Sequence, residues 1–121
     1  MAGQNQPAFA PSQKFEKLSG DHDVFGDGTV TILSTAGHTP GHQSLPIRLP
    51  KTGDVVLSGD AVHFRDNCEH KRVPSMNVNR EQTLASLQRL QSIMDERQAQ
   101  LWINHDKPQS DGLRYAPAYY E

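Results

Sequence analysis

Short runs that alternate apolar and polar residues cover much of the chain after residue 20 and predict β-strands. The stretch HDVFGDGTVTILS predicts a hairpin, with strands at residues 23–25 and 29–34 around a Gly-Asp-Gly turn. HQSLPIRLP alternates Leu and Ile with polar neighbours, which is typical of a half-buried strand. VVLSGDAVHF predicts a buried strand that ends at residues 58–60, and LWIN predicts a short strand at 101–104.

One main helix is predicted over about residues 79–97. Asn79 is its predicted N-cap, and Gln82 is the capping-box partner three positions later. The apolar residues that recur there at helical spacing are Leu84, Leu87, Leu90, Ile93 and Met94. The segments 65–78 and 107–121 are rich in turn residues and are predicted loops, and residues 1–20 are a predicted irregular N-terminal segment. The pattern indicates a mixed α/β (α+β) class.

Composition limits the classes of function. A chain of 121 residues is long enough for one domain, and its 35% hydrophobic content is low for that size. A formal net charge of −2 gives no electrostatic footprint for nucleic acid, so no nucleic-acid partner is expected. Cys68 is the single cysteine, and neither a signal peptide nor an apolar run of membrane-spanning length is visible. We therefore expect a soluble, cytoplasmic protein without a membrane partner.

Two histidines lie in a stretch that is built to turn, STAGHTPGHQSL. A helix does not explain them, because Pro40 and the glycines at 37 and 41 oppose helical hydrogen bonding. Since the TVTIL run before them predicts a strand, His38 and His42 lie where a strand ends and a loop begins.

Two other predicted strands are also followed by side chains that can bind a metal. Asp60 follows the VVLSGD run and His105 follows LWIN. Neutral imidazole and carboxylate are the usual nitrogen and oxygen ligands of zinc and related metals. The same residues are also compatible with plainer roles, such as a loop histidine that caps backbone groups or an aspartate that accepts backbone N–H bonds. The spacing alone leaves both interpretations open.

A resemblance changes the interpretation. In order and spacing, LSTAGHTPGHQSL, VVLSGDAVHF and LWINHD closely resemble the C-terminal half of metallo-β-lactamase-fold hydrolases, and within them are most similar to the N-acyl homoserine lactone lactonases. The helical sequence NREQTLASLQRL lies where such lactonases have a helix. The resemblance implies that residues 21–121 form the C-terminal half of one αββα sandwich, with a mostly antiparallel or mixed sheet.

The resemblance also implies a site for two metal ions, usually zinc, at one edge of the sandwich. His38 would bind one ion, Asp60 would bridge the two, and His105 would bind the other. His42 would be a supporting residue, with Gly37 and Gly41 letting the loop backbone pack closely.

Roles in the site are also predicted for two further residues, His63 and Asp106. Many of these lactonases have a tyrosine three residues after the bridging aspartate, where this chain has His63. An imidazole can also donate a hydrogen bond to a substrate carbonyl, so His63 joins Asp60 as a predicted catalytic residue. Asp106 is predicted to orient a neighbouring group.

The implied activity is the opening of the lactone ring of N-acyl homoserine lactones by metal-bound hydroxide, which would quench a quorum signal. Thioesters, β-lactams and phosphodiesters, the substrates of other branches, stay open. The first metal-binding motif of these enzymes, His-x-His-x-Asp-His, is not in this sequence, so we expect a weaker metal site and an inactive or weak chain. The alternative is a non-catalytic half-domain that pairs with a chain carrying the N-terminal half, or with itself as a homo-oligomer.

Overall fold

The computed structural model describes residues 12–121 of the chain. Of the predicted irregular segment 1–20, residues 1–11 lie outside the described part, and residues 12–20 form neither helix nor strand. A 3-10 helix covers Gly59–Ala61. The strands and α-helices are, in chain order, β1 (His22–Asp23), β2 (Thr31–Ser34), β3 (Gln43–Leu49), β4 (Gly53–Leu57), α1 (Arg65–Glu69), α2 (Arg80–Arg97), β5 (Gln100–Trp102) and α3 (Lys107–Asp111).

The five strands form one mixed sheet in the order β1-β2-β3-β4-β5. The first four pair as antiparallel neighbours, whereas β5 runs parallel to β4. A parallel pair needs a long crossover, which the segment containing α1 and α2 supplies. The predicted mixed α/β class, with a mostly antiparallel sheet and one main helix, is confirmed.

One face of the sheet packs against α2 and forms the apolar core. Cross-strand partners share a face, so the pairs Leu33–Ser44 and Pro46–Val56 place Ser44 and Pro46 on the core side of β3. The alternating Leu and Ile residues of that strand point the other way and are only half-buried. The buried core residues are Leu33, Val56, Ala61, Val62, Leu87, Leu90 and Ile103.

The predicted main helix is confirmed with its N-cap. The Asn79 side chain accepts a hydrogen bond of 2.9 Å from the Gln82 backbone N–H. The buried face of α2 is more polar than the predicted stripe, since it includes Thr83 and Ser86. The burial of these two hydroxyls is tolerated because each donates a hydrogen bond to a backbone carbonyl. Ser86 Oγ, for example, donates to the carbonyl oxygen of Ala36 at 2.7 Å.

Two predicted loops contain short helices, so those predictions are wrong. In α1 the Asn67 side chain accepts from the Phe64 N–H at 2.9 Å, and in α3 Asp106 is the N-cap, with a proline in the first turn. Each of these helices has only five residues, too few turns for a helical spacing of apolar residues to be recognised in the sequence. No helix in the described range 12–121 is long and apolar enough to cross a membrane.

Candidate metal centre

The loop between β2 and β3 is held against the first turn of α2. The Asn79 N–H donates to the Gly37 carbonyl at 3.0 Å. Gly37 has φ of +139°, and a Cβ on it would lie 2.6 Å from Thr83 Cα, so only glycine fits. The predicted close packing at Gly37 is confirmed. The same prediction for Gly41 is wrong, because nothing lies within 4 Å of a Cβ placed there.

This loop presents His38 in a defined tautomer. His38 Nδ1 lies 3.1 Å from Asn77 Oδ1, while Asn77 Nδ2 donates to Thr83 Oγ1 at 3.1 Å. Asn77 Oδ1 is therefore the acceptor and His38 Nδ1 carries the proton. The lone pair of His38 is left on Nε2, which lies 3.6 Å from Asp60 Oδ2. Sequence reasoning missed Asn77, because it lies 39 positions away in a predicted loop.

The parallel pairing of β4 and β5 brings Asp60 and His105 to one edge of the sheet. Each follows the carboxyl end of its strand, and those ends meet at the same edge. Asp60 Oδ1 lies 2.9 Å from His105 Nε2. The hydrogen bond from His105 lowers the pKa of Asp60 against the opposing effect of burial, so the carboxylate is ionised at neutral pH. Its two oxygens thus face two different imidazoles.

His63 lies between these groups and is almost fully buried, with 8% of its surface exposed. Its ring stacks on that of His105 at 5.3 Å between centroids and meets that of His38 edge-on at 5.2 Å. Burial lowers the pKa of His63, which favours the neutral imidazole. One ligand atom from each of Asp60, His63 and His105 lies within 4.8 Å of the others.

His42 uses both ring nitrogens inside the protein. Its Nε2 accepts from the Asp60 N–H at 2.8 Å, and its Nδ1 donates to the Thr35 carbonyl at 3.1 Å. Burial lowers its pKa, consistent with this neutral form. No lone pair is left for a metal, and His42 contacts the site through the Asp60 backbone and through its ring, which meets that of His38 edge-on at 6.1 Å between centroids. Gly59, at φ of +55°, is required here because a Cβ would lie 2.8 Å from His42 Nε2.

A buried chain of hydroxyls continues from His42 into the sheet. Thr35 Oγ1 lies 2.9 Å from His42 Nδ1 and 2.8 Å from Ser44 Oγ, which donates to the Ser58 carbonyl at 2.8 Å. Thr35, Ser44 and Ser58 are each at most 2% exposed. This series of hydrogen bonds connects the ends of β2, β3 and β4 beneath the cluster. Its only signal in the sequence was the presence of hydroxyl residues in otherwise apolar strands.

Asp106 lies outside the cluster formed by the histidines and Asp60. Its carboxylate accepts from the Gln109 N–H at 3.3 Å at the start of α3 and lies 4.0 Å from Arg65 Nε. These contacts stabilise the helix start and hold α1 near it. The orienting role predicted for Asp106 stays a prediction.

The donor set fits a divalent metal. Two ligands of one tetrahedral zinc lie about 3.4 Å apart, given metal–ligand bonds of about 2.0–2.2 Å. The distances from the Asp60 oxygens to His38 Nε2 and His105 Nε2, 3.6 and 2.9 Å, lie on either side of that value. Among residues 12–121 the buried Nδ1 of His63 has no hydrogen-bond partner, and one ring nitrogen of His63 lies within 4.8 Å of ligand atoms of Asp60 and His105.

No profile of a known protein family matches the chain. A solved hydrolase of the β-lactamase superfamily matches in structure with a TM-score of 0.55 and 20% identity. The match covers 65% of this chain and 28% of that hydrolase. At this identity the match is evidence for the fold alone. The chain has the fold of the corresponding part of metallo-β-lactamase-superfamily proteins.

More similar proteins narrow this class. The N-acyl homoserine lactonase AttM of Azorhizobium caulinodans is 33% identical over 115 residues, which are 92% of this chain and 44% of AttM. A solved structure of an N-acyl homoserine lactone hydrolase matches with a TM-score of 0.81 and 32% identity, over 92% of this chain and 43% of that hydrolase. That structure has the product N-hexanoyl-L-homoserine bound at its catalytic metal centre. The chain is homologous to the C-terminal half of the N-acyl homoserine lactonases and spans less than half their length.

Proposed function

We propose that this chain carries the zinc-binding part of the active site of an N-acyl homoserine lactonase. The observation that supports it most is the arrangement around Asp60. Its Oδ1 faces His105 Nε2 and its Oδ2 faces His38 Nε2, as expected of a carboxylate that bridges two ions. Homology to lactonases over 92% of the chain supports the same activity.

The donors suit zinc, since neutral imidazole and carboxylate are its common protein ligands. In this proposal His38 and Asp60 Oδ2 would hold one ion, and His105 and Asp60 Oδ1 would hold the other. Asn77 fixes the tautomer that leaves His38 Nε2 free, and His42 holds the Asp60 backbone in place. When bound, zinc acts as a Lewis acid that polarises an ester carbonyl and acidifies water.

The proposed reaction is hydrolysis of the lactone ester. A water oxygen bonds to the carbonyl carbon, the ring C–O bond breaks, and a proton ends on the departing ring oxygen, which gives the ring-opened acyl homoserine. Because this proposal assigns both Asp60 oxygens to ions, Asp60 acts as a ligand and not as the source of that proton. His63 is within reach of the same centre and either donates to the substrate carbonyl or binds metal.

We further propose that residues 21–121 are one half of a sandwich that a complementary half completes. The face of the sheet opposite α2 carries apolar side chains that are only half-buried, among them Leu45, Ile47 and Leu57. Burial of such a face against a second sheet is the usual arrangement in layered folds. The chain alone is then expected to be weakly active or inactive.

The test is a chimera in which this chain replaces the matching segment of the Azorhizobium lactonase. We expect the zinc-loaded chimera to open N-hexanoyl-homoserine lactone, detected by mass spectrometry as the addition of one water. The matched Asp60→Asn chimera should lose the activity, because it removes one carboxylate oxygen from the site.

A folded, zinc-loaded chimera that leaves the lactone intact, or that hydrolyses a β-lactam or thioester instead, would contradict the proposed substrate. If the chimera does not fold, binding of N-hexanoyl-L-homoserine to the zinc-loaded 121-residue chain takes its place. Binding that Asp60→Asn abolishes supports the proposal, and an absence of binding opposes it.

A further inference from the structure

We propose that His63 is a metal ligand, and that Asp60, His63 and His105 form a three-donor site which this chain completes with its own residues. The inference rests on the proposed function, because it adds a donor to the ion assigned to Asp60 and His105. It differs from the role that the resemblance implies for His63, a hydrogen bond to the substrate carbonyl.

The backbone after β4 directs His63 to the site. Asp60 lies in the 3-10 helix, and Val62, the residue after that helix, has extended backbone angles of −129° and 115°. Successive side chains point in opposite directions along an extended chain. Since Val62 is fully buried in the apolar core, His63 points away from that core. It meets there the ring of His105 and the carboxylate of Asp60.

The surroundings of the His63 ring favour a metal over the other roles. Within residues 12–121, His63 Nδ1 is the buried side-chain nitrogen or oxygen that has no hydrogen-bond partner. A histidine buried for packing alone pairs its nitrogens, as His42 does. A substrate contact requires access, and His63 is only 8% exposed. An ion is small enough to reach such a ring.

The number of donors is sufficient for a catalytic type of site. Such zinc sites have three protein ligands and one position for water or substrate. Asp60, His63 and His105 supply one oxygen and two nitrogens, all within 4.8 Å of one another. This ion therefore does not depend on residues outside the chain.

The experiment measures Zn²⁺ binding to the 121-residue chain by calorimetric titration, with folding checked by circular dichroism. We expect the wild-type chain to bind Zn²⁺ and the His63→Ala and His63→Tyr variants to bind it at least ten-fold more weakly. Tyrosine keeps a hydrogen-bond donor but removes the imidazole, so it separates a ligand from a substrate contact. The matched control is His70→Ala, since His70 is exposed and pairs with Asp66.

A second measurement needs no variant. Imidazole ¹⁵N spectra of the wild-type chain, recorded with and without Zn²⁺, should show one His63 nitrogen move to a metal-bound position. Unchanged His63 resonances in the zinc-loaded chain overturn the inference, as does wild-type affinity in His63→Tyr. If Asp60→Asn and His105→Ala still lose the metal in that case, the proposed function stands without His63. A folded wild-type chain that binds no Zn²⁺ overturns both proposals.

Discussion

Replacing Gly37 by alanine should destabilise the chain severely, because two separate penalties act at this position. The φ of +139° is a conformation that side chains with a Cβ rarely adopt, which costs about 1–3 kcal/mol. A Cβ would also lie 2.6 Å from Thr83 Cα, and forcing an extra methyl into a packed site costs about another 1–3 kcal/mol. We expect a total of about 2–6 kcal/mol, against a typical domain stability of about 5–15 kcal/mol.

The assay is urea unfolding followed by far-UV circular dichroism. With a slope of about 1–3 kcal/mol per molar urea, the loss should move the midpoint of Gly37→Ala down by about 0.7 M or more. Gly41→Ala is the control in the same loop, since a Cβ there meets nothing within 4 Å. Its free energy of unfolding should stay within about 0.5–1 kcal/mol of wild type.

A second variant tests the physical cause. Thr83→Ala removes the hydroxyl near Gly37 but leaves the Thr83 backbone, with which the new Cβ also collides. The double variant Gly37→Ala/Thr83→Ala should therefore recover little stability. Equal midpoints for Gly37→Ala and Gly41→Ala would refute the reasoning, and full recovery in the double variant would show that only a side chain was in the way.

Two other predictions concern the tautomer of the site and the dependence of stability on pH. Asn77→Ala removes the acceptor that orients His38, so Zn²⁺ affinity measured by calorimetry should fall about 10–100-fold; an unchanged affinity would exclude this role. Burial raises the pKa of Asp21, but the hydrogen bonds from Arg89 and the Ser34 N–H, together with the charge of Arg89, outweigh it and lower that pKa. Because the Asp21–Arg89 pair is exposed, it contributes under about 1 kcal/mol to the free energy of unfolding. This contribution is present above pH 3.8 and is lost as pH falls through the folded-state pKa of Asp21. Urea midpoints of wild type and Asp21→Asn should therefore differ at neutral pH and converge in acid, and a constant difference would contradict the assignment.

Local patterns predicted most of the regular structure. The main helix could be read from its apolar period and from Asn79, because a cap and a repeat over five turns depend on neighbouring residues only. The two short helices were missed because five residues show no period. In α3 a signal was nevertheless present, since Asp106 followed by Pro108 is a typical helix start.

The choice among the histidines could not be made from spacing. His38 and His42 share one loop, and both look like ligands in the sequence. The structure separates them by what their nitrogens contact: His42 is saturated by Asp60 and Thr35, while Asn77 leaves one nitrogen of His38 free. Those partners lie up to 39 positions away, and no local pattern reports them.

The sequence by itself determined the strands, the main helix, the sharp turn at Gly37 and the residue types that suit a metal. These features depend on local periodicity, on backbone freedom and on the chemistry of single side chains. Only the tertiary structure decided that β5 pairs in parallel with β4, which places Asp60 and His105 at one edge. It also decided that His63 is buried beside them, with a ring nitrogen that no group in the described part of the chain pairs. Proximity between residues 45 positions apart arises from packing against a shared core, so it could not be read from either segment alone.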